Sequence, residues 1–272
     1  MIPVIMTEAT IYAPNPYLKI AVERANIKNK TIVLGDEYNK DCGARHYHLS
    51  DYSKKADEFT LLYKHLNFNP EAIEILCYRR WFIIHEFMEA NDIEVCFHCD
   101  TDVLVFVDVN DEYYRFKDFE ISLNGRTSGH TGYFTRKGLK NLCDFIFEVY
   151  KERGFWFELL ETRFELSKKY GVQKGVCDMT LLGIYADHNH PKVGEMLQVG
   201  DYDYPFFDHH LRCEGEHFQM VNGVKDIRYS TEEGMPWCAR HDGRDTPFAS
   251  IHFQGTLMKP YMKEVHEGVS KT

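Results

Sequence analysis

Residues 96–106 read CFHCDTDVLVF, with Asp100 and Asp102 at i and i+2 inside an otherwise apolar run. Ile93, Val95 and Phe97 before them, and Val103 to Val107 after them, have the composition of buried strand. An unpaired carboxylate is costly to bury, and two close together are costlier. The pair therefore calls for a turn at a strand end, where a cation or a proton covers it. In open α/β sheets ligands bind beyond the carboxyl ends of the strands, so this turn reads as the rim of a binding cleft.

Upstream, residues 3–7 (PVIMT) read as a buried strand, and residues 17–27 carry Leu18, Ala21, Val22 and Ala25 at helical spacing. TIVLGD, residues 31–36, is a second buried strand ending at Gly35-Asp36. Strand, helix and strand in so short a span form a βαβ unit, which implies parallel strands. Residues 54–66 read as helix or loop with Leu61, Leu62 and Leu66. Pro70 opens a long helix from Glu71 to Ala90, with Ile73, Leu76, Cys77, Trp81, Ile84, Phe87 and Met88 as its apolar stripe.

Downstream, residues 119–134 alternate enough for a hairpin around Asn124-Gly125. An amphipathic helix follows over 137–154, closed by Gly154, and another over 156–170. Residues 176–188 (VCDMTLLGIYADH) read as a helix start or a strand-to-helix turn. Residues 194–250 read as irregular, and SIHFQGTLMKPYM (250–262) follows. With no internal repeat, low-complexity tract or linker, one domain over 1–272 is the simplest organisation.

Composition narrows the function classes. The chain has 272 residues, 44% of them hydrophobic and 14% aromatic, ample for a sizeable core. A formal net charge of −10, from 42 acids against 32 Lys and Arg with no basic run, makes nucleic acid an unexpected partner. MIPVIMTEATIY is unlike a signal peptide, and no run reaches the ~18 apolar residues of a membrane span. The expected location is cytoplasmic, with peripheral work at a membrane left open. The eight cysteines are then expected as free thiols. Cys96 and Cys99 form a C-x-x-C, but on a strand they face opposite sides, which suits neither zinc nor redox chemistry.

Two carboxylates on one tight turn can share a divalent cation, and hard oxygen ligands suit Mg²⁺ or Mn²⁺. Such a cation would neutralise a nucleotide diphosphate. His252-Phe253-Gln254-Gly255, followed by Lys259-Pro260-Tyr261, adds candidates for the same task. A neutral imidazole can complete a Mn²⁺ shell, a glycine lets backbone approach phosphate, and a lysine can meet the leaving diphosphate.

With these residues quoted, the chain resembles the GT-A glycosyltransferases. CDTDVLVF matches their D-x-D. HFQGTLMKPY is similar to the H-x-x-G-x-x-K-P-W signature of the glycogenin and lipopolysaccharide galactosyltransferase family, with one extra residue before Lys259 and Tyr261 in place of Trp. IPVIMT, NPYLKIAVERA, IVLGDEYN, RRWFIIHEFM, SGHTGYF and VCDMTLL look like small glycosyltransferases of polysaccharide clusters and large algal viruses. The resemblance implies a single Rossmann-like α/β domain with a mixed, mostly parallel sheet. Residues 1–110 would be the nucleotide-binding half. Residues 111–272 would be the acceptor half with the C-terminal metal and diphosphate segment. It implies transfer from a nucleotide sugar, UDP-sugar foremost, to a glycan or lipid-linked hydroxyl in surface-polysaccharide or glycoprotein glycan synthesis. Asp100, Asp102 and His252 would hold Mn²⁺ or Mg²⁺, often with only the second acid in direct contact. Thr101 lies within the D-x-D, Gly255 and Lys259 would meet the diphosphate, and Thr7, Glu8 and Ala9 the base and ribose. Asp36 lies where a base contact is usual. Arg80 would reach toward the donor, with Arg79 as rival.

An inverting transferase needs a carboxylate to take the acceptor's proton, and Asp178 is the candidate; an N-cap is its alternative role. Inversion is the expected outcome. His130, flanked by small residues, is a candidate acceptor or sugar contact. Asp201, Asp203, Asp208, His209 and His210 match no ligand pattern and read as a polar acceptor-side loop. Trp156, Trp237 and Phe207 are expected in the core. The competing readings are a haloacid-dehalogenase-type phosphatase, which also uses D-x-D after a strand, and an inactive transferase fold serving as a binding subunit.

Overall fold

A computed structural model describes residues 1–172, 175–189, 191–197, 204–229 and 234–270. The first half runs β1 (Val4–Glu8), α1 (Leu18–Asn26), β2 (Thr31–Gly35), β3 (Arg45–His48), α2 (Lys54–Thr60), α3 (Glu71–Ala90), β4 (Val95–Cys99) and β5 (Val103–Val105). The short α4 (Val109–Glu112) leads to β6 (Ile121–Leu123), β7 (Thr131–Thr135), α5 (Arg136–Glu152), α6 (Phe155–Lys169), α7 (Asp178–His188) and β8 (Val193–Glu195). Short strands follow: β9 (Phe206–Phe207), β10 (Met220–Val221), β11 (Val224–Lys225), β12 (Arg228–Tyr229), β13 (Pro236–Ala239) and the longer β14 (Asp245–His252), then α8 (Lys259–Ser270).

Among the described residues, the larger sheet has the order β3-β2-β1-β4-β7-β6-β8. β3, β2, β1 and β4 are mutually parallel, β7 runs against both β4 and β6, and β8 is parallel to β6. The sheet is mixed and mostly parallel. Both faces are covered, and the pleat sends alternate residues to two separate cores. Val4, Met6, Val33, Phe97 and Cys99 enter one, while Ile5, Ile32, Leu34 and Cys96 enter the other. The C-x-x-C is thus split between two cores as free, buried thiols, and burial pushes both up.

The chain leaves β1 toward β2 on one side and returns to β4 on the other. Such a reversal of strand order opens a crevice at the carboxyl ends, here between the ends of β1 and β4. Long α3 covers one face of this region by burying Tyr78, Trp81, Ile84, Phe87 and Met88. β5 then leaves the sheet and pairs antiparallel with β14, with His252 opposite Val103 and Ile251 opposite Leu104. That register delivers the C-terminal segment to the D-x-D turn.

The segment 194–250, expected to be irregular, is strand-rich where it is described. β12, β13, β14 and β5 form a second sheet, and β9 adds to β14. Its strands are too short for periodicity to show. The helix over 136–152 is closed by Arg153 in the left-handed region rather than by Gly154.

Candidate active site

The turn after β4 is fixed by backbone contacts. Asp100 N–H donates to the His130 carbonyl at 2.8 Å, Val103 N–H to the Asp100 carbonyl at 3.2 Å, and Phe253 N–H to the Asp102 carbonyl at 2.9 Å. His252 Nε2 lies 3.5 Å from Asp102 Oδ1, and Lys259 Nζ lies 3.5 Å from Asp102 Oδ2. Gly255 stands between them with φ +81, a left-handed conformation that glycine adopts without strain. The turn around it brings Lys259, the first residue of α8, back over the D-x-D.

His252 is oriented from behind. Its Nδ1 donates to the His209 carbonyl at 2.7 Å, which leaves Nε2 to face Asp102. Its backbone N–H donates to Asp208 Oδ2 at 3.0 Å. Burial opposes a charged ring, but the contact with Asp102 outweighs it and raises the imidazole above its ordinary value. A pair that draws a proton between ring and carboxylate can hold a divalent cation in the proton's place. A separation of 3.5 Å suits two ligands of one ion with bonds of about 2.1 Å. Asp102 and His252 therefore fit Mn²⁺ or Mg²⁺. Among the described residues no three His, Cys, Asp or Glu side chains are assembled as a metal cluster, so other ligands would come from substrate or water.

Asp100 is differently placed. Arg80 Nη1 donates to its Oδ1 at 2.6 Å, and His98 Nε2 lies 3.3 Å away. Burial works to raise this carboxyl, but the guanidinium and His98 outweigh it and hold it well below the usual carboxylate range. Arg80 Nη2 donates to Asp178 Oδ2 at 2.6 Å. Arg80 thus ties the D-x-D turn to the start of α7. Arg79 turns away to Asp57 at 2.6 Å and to Thr60.

Asp178 is the first residue of α7 and is 3% exposed; the capping position belongs to Cys177, paired with Thr180. Its Oδ2 accepts from Arg80 and from Trp81 Nε1 at 3.1 Å, and its Oδ1 from Met179 N–H at 2.9 Å. One lone pair on Oδ1 is left for a ligand among these contacts.

Two cavities meet at this centre. One of about 380 Å³ is lined by Thr7, Glu8, Ala9, Thr101 and Lys259, with Ile11, Leu34, Leu49 and Ile73 as an apolar wall. Glu8 Oε2 accepts from Thr101 Oγ1 at 2.7 Å and from Asn15 Nδ2 at 3.0 Å, which clamps the β1–α1 loop onto the D-x-D turn. Burial raises the Glu8 carboxyl despite these bonds. The second cavity, about 590 Å³, lies beyond Arg80 and includes Asp178, His130 and Gln254. A third, about 620 Å³ and lined by α3 and α5 residues such as His85, Glu86 and Lys140, touches none of the strand-end groups.

Two candidates are occupied elsewhere. Asp36 does not line the nucleotide-side cavity. Its oxygens hold Thr10 N–H at 2.6 Å, Tyr38 N–H at 3.0 Å and Asn39 Nδ2 at 2.7 Å. His130 stacks on His252 at 4.0 Å with both nitrogens engaged, Nδ1 with the Ser128 hydroxyl and Nε2 with the Asp208 carbonyl. Burial keeps it neutral, well below the ordinary histidine value. It buttresses His252 and has no polar atom left for a sugar.

The loop around Asp208 is not a solvated acceptor loop. Asp208 and Glu216 both bind the buried Lys225. Burial, with Asp208 beside it, pushes Glu216 up to about 7, because one lysine serves two acids. This ionic knot anchors the carbonyls that orient His252 and His130. Asp201 and Asp203 lie outside the described residues.

No family model and no curated protein matches the chain. Solved structures do. An active-site mutant of LgtC aligns over 98% of this chain and 95% of its own with a TM-score of 0.51 at 13% identity. Mouse xyloside xylosyltransferase 1 in apo form covers 71% of this chain and 83% of its own, TM-score 0.46, 9% identity. A glycosyltransferase involved in glycosylation of the major capsid of PBCV-1 covers 98% and 99%, TM-score 0.43, 10% identity. Taken with the strand order and the cleft beyond β1 and β4, the LgtC alignment defines the fold as GT-A.

Proposed function

We propose that the protein is a metal-dependent glycosyltransferase that moves a sugar from a nucleoside diphosphate sugar, foremost a UDP-sugar, to a hydroxyl of a glycan or lipid-linked saccharide. Surface-polysaccharide or glycoprotein glycan synthesis is the setting this suits. The observation that carries the reading is the convergence of Asp102, His252 and Lys259 on the mouth of the β1/β4 crevice. Asp102 and His252 would hold Mn²⁺ or Mg²⁺, which supplies positive charge to the departing diphosphate. Lys259 adds a cation on the same side. Thr7 to Ala9 and the apolar wall around Leu34 and Ile73 suit a base and ribose.

Arg80 positions both carboxylates, Asp100 beside the donor and Asp178 beside the second cavity. Asp178 would take the acceptor's proton through Oδ1, the oxygen not shared with Arg80, which favours inversion. The phosphatase reading loses ground. Its nucleophile would be an acid of the D-x-D, yet Asp100 is bound by Arg80, Asp102 faces His252 and Lys259, and the fold is GT-A. Among the described residues no helix is long and apolar enough to cross a membrane.

The test is release of nucleoside diphosphate from a panel of nucleotide sugars with Mn²⁺. One donor family should be turned over, and Asp102→Asn should abolish turnover. Turnover of none of them, with hydrolysis of phosphate monoesters instead, refutes the proposal.

A further inference from the structure

The cavity beyond Arg80 has a rim that the donor chemistry does not use: the turn 67–69 between α2 and α3. Asn67 builds it. Asn67 Oδ1 accepts from the N–H groups of Phe68 at 2.7 Å and Asn69 at 3.0 Å, and its Nδ2 donates to the Val176 carbonyl at 3.0 Å. A Cβ at Gly175 would fall 2.3 Å from the Asn67 side chain, so the turn and the approach to α7 close only over a glycine. Phe68 is held against Phe164 of α6 at 5.2 Å and yet is 45% exposed. An aromatic ring fixed from behind and open in front is a platform for the C–H face of a sugar.

Glu74, in the first turn of α3, lies in the same lining and is 4% exposed. Asn69 Nδ2 donates to its Oε1 at 2.7 Å, while Oε2 is buried without a hydrogen-bond partner among the described residues. Buried polar atoms are rarely left so, and an orphan in a cleft wall points to a missing donor. Asn69 is exposed at the rim, so an entering hydroxyl displaces a single contact to reach this carboxyl. Burial raises Glu74 above the ordinary carboxyl value, with Asp178 adding to the effect.

Among the described residues, the charges lining the cavity are mostly acidic. Glu74, Asp100, Asp102 and Asp178 line it. Its basic groups are committed: Arg80 to Asp100 and Asp178, His130 to Ser128 and Asp208, His252 to Asp102 and His209. Among the described residues that line it, an anionic acceptor would meet the orphan oxygen of Glu74 and no cation without an acid partner.

We propose that the turn 67–69 together with Glu74 is the acceptor subsite, and that it takes an uncharged, hydroxyl-rich sugar stacked on Phe68, with hydroxyls bound by Asn69, Glu74 and Gln254. This rests on the transferase reading above and adds the acceptor's chemical class. The experiment uses the full chain with its donor and Mn²⁺. The probes are methyl glycosides of glucose, galactose, mannose and N-acetylglucosamine, set against methyl glucuronide and glucose 6-phosphate. Transfer to at least one neutral glycoside is expected, with the acidic probes inert. Phe68→Ala should raise the acceptor KM about tenfold, and Phe68→Trp should preserve it. Glu74→Gln should raise the acceptor KM as well. Nucleotide affinity should stay as in the wild type in all three variants, since neither Phe68 nor Glu74 lines the nucleotide-side cavity. Preference for an acidic probe, or an unchanged acceptor KM in Phe68→Ala, overturns the subsite while nucleotide binding persists. Failure of the wild type to bind any nucleotide sugar overturns the transferase reading itself, and the subsite with it.

Discussion

Replacing Arg80 with methionine removes a cation that Asp100 and Asp178 share. Methionine keeps the aliphatic length beside Trp81, so the change is chiefly one of charge and hydrogen bonding. The side chain of Asp178 is 4% exposed and that of Asp100 is 27% exposed. Removing one partner of a buried ion pair costs about 3–5 kcal/mol. Solvent reaches Asp100 and discounts its share, so about 3 kcal/mol is the expected loss at pH 7. For a chain this long that lowers Tm by roughly 6–12 °C.

The pH dependence identifies the cause. In the wild type Asp100 titrates below its unfolded value, so its contribution is present above the unfolded pKa of about 3.9 and is lost only as pH falls through the lower folded value. In the variant, burial of Asp100 is no longer outweighed by the guanidinium and raises its carboxyl. The variant then loses stability as pH rises above about 4, and the gap between variant and wild type is widest near neutrality. Urea unfolding of the wild type, Arg80→Met, Asp178→Asn and the double variant at pH 4 and pH 7 measures this directly. The double variant should cost clearly less than the sum of the singles. A loss under about 1 kcal/mol at pH 7, or a gap of equal size at both pH values, would refute the assignment of Arg80 as the shared clamp.

The rest of the site yields further expectations. Asp178→Asn should lower kcat by about 10²–10⁴ with little change in nucleotide affinity, and a loss confined to nucleotide binding would deny it the role of base. A Cβ at Gly129 would fall 2.4 Å from the Trp81 ring, so Gly129→Ala should destabilise by about 1–3 kcal/mol and weaken the Trp81–Asp178 contact, read by unfolding and by Trp fluorescence. Glu216 has its folded pKa raised from 4.5 to about 7, so the folded state keeps a proton that the unfolded chain has lost. Stability should fall as pH rises across that window, and Glu216→Gln should flatten the slope; an unchanged slope means that Glu216 is not its source.

The first half of this fold was legible because its signals are local. β1, α1, β2 and α3 each carry an apolar pattern over one continuous segment, and Pro70 and Asn91 mark the ends of α3. The acids in CFHCDTDVLVF showed where a strand ends, and the strand order placed that end beside β1. The second half was not legible because its signals are long-range. β9 to β12 are two residues each and are identified only by their partners. Asp208 reads as part of a polar loop, and only the fold shows that it is buried with Glu216 and Lys225. Local pattern could not choose between Arg79 and Arg80 either, since both lie on the half-buried flank of α3; the choice follows from where Asp100 and Asp178 stand. Glu74 carries no signal in the sequence, and only its orphan oxygen singles it out.

The measurement that bears most directly on the account is a calorimetric titration of UDP into the wild type and Asp102→Asn, each with Mn²⁺ and with chelator. The account predicts UDP binding that depends on Mn²⁺, that releases protons as the cation takes the place between His252 and Asp102, and that weakens at least about tenfold in Asp102→Asn. UDP affinity indifferent to both chelator and Asp102→Asn would contradict it.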